Sequence, residues 1–266
     1  MTEKDREELR QARELLESPG LAARLSNLAG APVEAALRKL PVGVRDGVDK
    51  ATRKALEGAL NTALKTLDRD GTAERTSRNK LHKTWAAAAG GVGGLFGFSG
   101  LLLELPVTTT IMLRSIADIA HSNGEDLRQP DARLACLEVF ALGGPSTGDD
   151  AAETGYFAVR ASLAKAVAEA AKYAAGASAA EKGAPVLVRL LSAITKRFGV
   201  TVSQKFAAQA VPVVGALGGA VVNSIFMSHF QNVASGHFTV RRLERAFGKD
   251  TVRTAWEALG SREQAR

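Results

Sequence analysis

Two stretches limit what this chain can fold into more than any other feature. Residues 85–113 read WAAAAGGVGGLFGFSGLLLELPVTTTIML and carry one formal charge, Glu104; residues 206–228 read FAAQAVPVVGALGGAVVNSIFMS and carry none. Runs this long without charge must be covered by other helices or by lipid. Gly90 and Gly94, Gly93 and Gly97, and Gly215 and Gly219 stand four residues apart, each pair on one face of a helix. Small residues at that spacing let a second backbone approach closely. The expectation is a pair of apolar helices packed backbone to backbone, with the rest of the chain arranged around them.

Length leaves two settings open for that pair. As a helix, Trp85 to Leu103 extends roughly 28 Å, close to the hydrocarbon thickness of a bilayer. Against spanning, Gly and Ala contribute little apolar area. Glu104 would cost about 2.5–3.5 kcal/mol at a bilayer centre, and Pro106 and Pro212 each remove a backbone donor. One setting is a buried hairpin in a soluble bundle; the other is a hairpin that inserts wholly or partly into a membrane.

The remaining segments read as helices. Leu9, Leu15 and Leu16 stripe a charged helix over 3–18 that Pro19-Gly20 stops, and shorter pieces follow over 21–30 and 32–40. Leu56, Leu60, Leu64 and Leu67 give one apolar face over 46–67. The pattern is lost over 68–80, a charged linker that divides an N-terminal amphipathic region (1–80) from a second helical domain (81–266). Beyond it, helices are predicted over 108–121, 130–142, 150–175, 185–199, 202–210, 239–247 and 250–259, with Pro106 kinking or splitting the helix it enters. Strand signals are almost absent. The fold class is all-α, a multi-helix bundle with a central pair of Gly-rich apolar helices. Aromatic content of 5% fits close contact between helices built from small residues.

The formal net charge of +7 favours an anionic partner. The basic residues are scattered and lack aromatic interleaving, which argues against nucleic acid and for an anionic membrane surface or a membrane protein. Cys136 is the lone cysteine, so no intrachain disulfide or cysteine metal cluster is expected. The N-terminal MTEKDREELR has no apolar signal core. A cytoplasmic protein, peripheral to or partly inserted in the inner membrane, is the expectation.

Candidate chemistry is sparse. Arg114 and Asp118 stand i, i+4 on an apolar helix, and Glu104 could share their face: a site for a headgroup or substrate, or a salt bridge that fixes register. Asp149, Asp150 and Glu153 could take a divalent cation, or serve as the acidic first turn that helices prefer. His82, His121, His229 and His237 are dispersed and form no metal-binding pair, so neither metal nor other cofactor is expected. GGPSTG at 143–148 lacks the ending of a phosphate-binding loop. Arg241, Arg242 and Arg245 follow the second apolar stretch and are candidate lipid-headgroup ligands.

The segments LPVTTTIMLRSIADIA (105–120), DARLACLEVFALGG (131–144), DDAAETGYFAVRASLAK (149–165) and RFGV with QAVPVVGALGGAVVNSIFMSHFQNVASGHFTVRRLE (197–244) resemble the EcsC family of bacterial proteins. The resemblance implies a helical module associated with membranes and linked to ABC transporter systems, with no catalytic residues to carry over. The expected role is therefore a non-catalytic membrane-associated protein. The alternative is a hydrolytic or lipid-directed enzyme using Glu104, Arg114, Asp118 and the 143–153 loop. The sequence does not fix an oligomeric state.

Overall fold

A computed structural model describes residues 1–17, 20–29, 33–38, 41–65, 97–144, 155–176, 184–209 and 219–264, and these contain helices and no strand. The helices are α1 (Glu3–Glu17), α2 (Leu21–Ala29), α3 (Val33–Arg38), α4 (Val42–Lys65), α5 (Gly97–Ser122), α6 (Pro130–Leu142), α7 (Gly155–Gly176), α8 (Pro185–Gln209), α9 (Gly219–Phe247) and α10 (Lys249–Gln264). The chain is all-α.

Local chemistry sets most of the boundaries. Thr2 and Asp5 cap α1 reciprocally: the Asp5 amide donates to Thr2 Oγ1 and the Thr2 amide donates to Asp5 Oδ2. Gly124, at φ 79°, ends α5, and the Glu125 amide returns to the Ala120 carbonyl. Pro130 opens α6 at a position where its missing donor costs nothing. Gly248, at φ 85°, turns the chain from α9 into α10.

Three residues of kinds that commonly break a helix do not break one here. α5 continues through Pro106 as one helix, and the Pro106 carbonyl accepts from Thr110 Oγ1 at 2.9 Å. One lost backbone bond costs about 3 kcal/mol, and a helix buried on both sides of it, at Leu105 and Met112, tolerates that. α8 runs through Gly199, where the helices predicted over 185–199 and 202–210 join. Phe198 and Val202 anchor it on either side. α9 runs unbroken through Gly236, because α1 crosses there. A Cβ on Gly236 would sit 2.8 Å from the Ala12 carbonyl oxygen and 2.7 Å from Leu16 Cγ, so glycine serves a close approach and not a break.

One buried core spans α2 to α9 and includes Leu56, Leu60, Leu113, Ile116, Leu137, Leu190, Ile194 and Val222. Phe140, Phe198, Phe226 and Phe230 pack with ring centroids 4.9–6.2 Å apart, so the core also uses large side chains. A smaller core of Leu9, Ala12, Tyr156, Val240, Leu243, Val252 and Trp256 joins α1, α7, α9 and α10.

Candidate functional site

The start of α5, the end of α8 and the start of α9 lie together at one end of the bundle. Glu104 Oε1 accepts from Lys205 Nζ at 3.0 Å, from Asn223 Nδ2 at 2.6 Å and from Thr108 Oγ1 at 3.1 Å. The Lys205 and Glu104 side chains are 0% and 3% exposed, and Lys205 Nζ also lies 5.0 Å from the centre of the Phe226 ring. Burial pulls the Lys205 ammonium below its ordinary range, and the Glu104 carboxylate opposes that pull. These two are the formal charges of residues 97–113 of α5 and 198–209 of α8, while residues 219–240 of α9 have none. Each of these segments therefore exposes no formal charge among its described residues, and they expose Val107, Val200 and Val221.

α4 begins toward the same end and runs away from it. Asp49 lies beside Gly199, whereas the Leu64 carbonyl, at the far end of α4, accepts from Arg133 at the start of α6. The first turn of α4 then adds Val42, 73% exposed. Beside it, Arg45 donates to the Leu37 and Arg38 carbonyls that close α3. An open groove of about 420 Å³ between α2 and α9 is lined by Arg24, Ala220, Val221, Ser224, Ile225 and Ser228.

The opposite end is laced with ion pairs. Arg241 reaches Glu125 at 2.8 Å and Asp131 at 3.1 Å; Arg242 reaches Glu8 at 2.6 Å; and Arg245 pairs with Glu125. Burial pushes the Glu125 carboxyl up, but Arg241 and Arg245 outweigh it and hold the group below its usual range. Arg160 grips Glu244 through two bonds of 2.8 and 2.6 Å. Beside that pair, Tyr156 Oη and His237 Nδ1 share a hydrogen bond of 2.9 Å.

The predicted site residues divide between these places. Glu104 faces inward onto Lys205 and Asn223, Arg114 is exposed and Asp118 is half-buried. Arg241, Arg242 and Arg245 are engaged by carboxylates at the arginine-rich end, away from the start of α9. Asp149, Asp150, Glu153, Gly90, Gly93, Gly94 and Gly215 lie outside the described residues, as do 68–80 and 145–154. Gly97 and Gly219 are the first residues of α5 and α9, helices that pack on one another. Lys205, Asn223, Glu138, Tyr156, Arg160 and Glu244 carry no part of the predicted site. The signal for Lys205 was its isolation: one lysine bordering an uncharged run, matching one glutamate inside another.

His229 donates from Nε2 to the Gly143 carbonyl at 2.7 Å, and burial lowers its pKa to about 4. Cys136 is fully buried, its thiol against the Ala132 carbonyl, and burial pushes its pKa up, so it is no nucleophile. Among the described residues no group of three or more His, Cys, Asp or Glu is arranged to hold a metal ion. No helix of the described residues is long and apolar enough to cross a membrane.

Comparison with curated proteins and with solved structures finds no match. The model of the EcsC protein family matches residues 3–243, which takes in α1 to α4 as well as the segments after them. The chain belongs to the EcsC protein family.

Proposed function

We propose that the chain is a non-catalytic helical protein that seats on a membrane surface by the end of the bundle where α5 and α9 begin and α8 stops. The observation that carries this reading is that the charges of those segments, Glu104 and Lys205, are buried against each other, while each segment exposes a valine: Val107, Val200 and Val221. Among the described residues no helix is long and apolar enough to cross a membrane, and the contact proposed is a shallow one. The net charge of +7 adds long-range attraction to anionic lipid, and Arg45, at the rim of this end, is placed for a headgroup. The membrane face is the cytoplasmic one, and the family's link to ABC transporter systems makes such a transporter the candidate neighbour there.

Flotation of the full chain with vesicles of phosphatidylcholine containing a third phosphatidylglycerol tests the reading. The chain is expected to float with the vesicles, and V107D/V221D to stay behind while keeping its helical circular dichroism. Recovery of the unaltered chain entirely in the vesicle-free fraction overturns the proposal.

A further inference from the structure

Where α6, α7 and α9 meet, Glu138, Tyr156 and His237 are buried, with Arg160 and Glu244 partly buried beside them. Glu138 is 4% exposed, and its Oε1 has no hydrogen-bond partner, as is also true of His237 Nε2. A buried carboxylate oxygen without a donor is costly when ionised and tolerable when neutral. The cations near it are committed elsewhere: Arg160 to Glu244, and Arg241 to Glu125 and Asp131.

The groups around Glu138 can be taken element by element. α7 brings Tyr156 and Arg160. α9 brings His237, Arg241 and Glu244. Its own helix brings Asp131, and Arg133, which is bound to the Leu64 and Arg128 carbonyls. α8 brings Arg197, bound to the Ala141 and Gly144 carbonyls. α4 approaches with the Leu64 carbonyl, and on α5 Arg114, Asp118 and His121 lie on exposed or half-exposed positions. Burial raises the Glu138 pKa to about 7, with Arg160 and Arg241 opposing, and pulls His237 well below its ordinary value.

α7 is the helix that such a group can release. Of its 22 residues, Tyr156, Leu163, Val167 and Ala170 are buried, against twelve in α8. Its first turns are held by Tyr156 on His237, Arg160 on Glu244, and the Tyr156 ring stacked on Trp256 at 5.5 Å.

We propose that Glu138 is a proton-operated latch for α7: neutral, it lets the first turns of α7 close on α6 and α9; ionised, it competes with Glu244 for Arg160 and loosens them. Trp256 reports the event, because it lies against both Tyr156 and Phe157.

The test uses the full chain in a W85F background, which leaves Trp256 as the single tryptophan. Its emission is followed from pH 5.5 to 8.5, with amide exchange of 155–176 measured across the same range and corrected for intrinsic rates. Emission is expected to change in one transition near pH 7, and corrected exchange in the first turns of α7 to accelerate by up to about tenfold per pH unit as pH rises toward 7 and to level off above it, with α8 unchanged. E138Q is expected to keep the low-pH signal throughout. A flat Trp256 signal with glutamate at 138, or a transition that survives in E138Q, overturns the latch. Should E138Q not fold, the exchange data decide: acceleration confined to α7 supports the proposal, and none, or one spread over all helices, defeats it.

Discussion

The two ends of the bundle solve the same problem, holding helices in register, by opposite means. At the arginine-rich end, Glu125, Asp131 and Glu8 are shared among Arg241, Arg242 and Arg245, with several of these side chains in contact with water. At the other end a single pair, Lys205 and Glu104, joins α5 to α8 with both side chains almost fully enclosed. Asn223 draws α9 into the same knot. Partly hydrated ion pairs each contribute little but tolerate loss; an enclosed pair gains strength from its low-dielectric surroundings, and losing one partner leaves an isolated buried charge. The membrane contact proposed above would be compatible only with the second arrangement.

The largest effect is therefore expected at the enclosed pair. K205M leaves Glu104 buried without its cation and should cost about 3–5 kcal/mol in urea unfolding, while E104L/K205M should recover most of it. Equal losses in the single and double variants would erase the contrast between the ends.

Next comes Glu138, with a folded pKa of about 7 against an ordinary 4.5. The shift is upward, so the stability it confers is complete below pH 4.5 and is lost as pH rises through 7. About 3 kcal/mol should disappear between pH 4.5 and 8, less any relaxation of α7. E138Q should flatten that slope in thermal melts.

At the arginine-rich end, R241M should cost about 2 kcal/mol, because Glu125 is 7% exposed yet keeps Arg245. A loss matching that of K205M would show that this end is no more forgiving than the other. The smallest effect belongs to R10A. It breaks contacts to Glu7 and Glu14 on the exposed face of α1 and should change stability by less than about 0.5 kcal/mol.

Much of the architecture was legible because it is written in local signals. Pro130 at the opening of α6 and Gly124 after α5 act over a few residues, and the ends predicted beside them, 130 and 121, lie within a residue of the observed ones. The signals that misled, at Pro106 and near Gly199, were also local: these residues, like Gly236, break an isolated helix, but here burial on both sides, or a crossing helix, reverses the outcome. Gly236 shows the reason plainly, since what demands glycine there is Ala12 and Leu16. The site was harder to read. Lys205 finds Glu104 across 101 residues, Asn223 across 119, and Tyr156 meets His237 across 81. No spacing rule within one helix connects such partners. Two segments that carry the family resemblance, GYFAVR and GHFTVRRLE, are nonetheless the ones that build the buried junction around His237.

The seat of α1 has a consequence for synthesis. Arg13 donates to the Trp256 carbonyl across 243 residues, and the notch for Leu16 is Gly236. Helix α1 thus leaves the ribosome long before its binding surface exists, and must wait as a free amphipathic segment until α9 and α10 have emerged. During that interval its leucine stripe is open to chaperones. Slowing translation over the codons of α9 and α10 should prolong the exposure and raise the fraction captured by them.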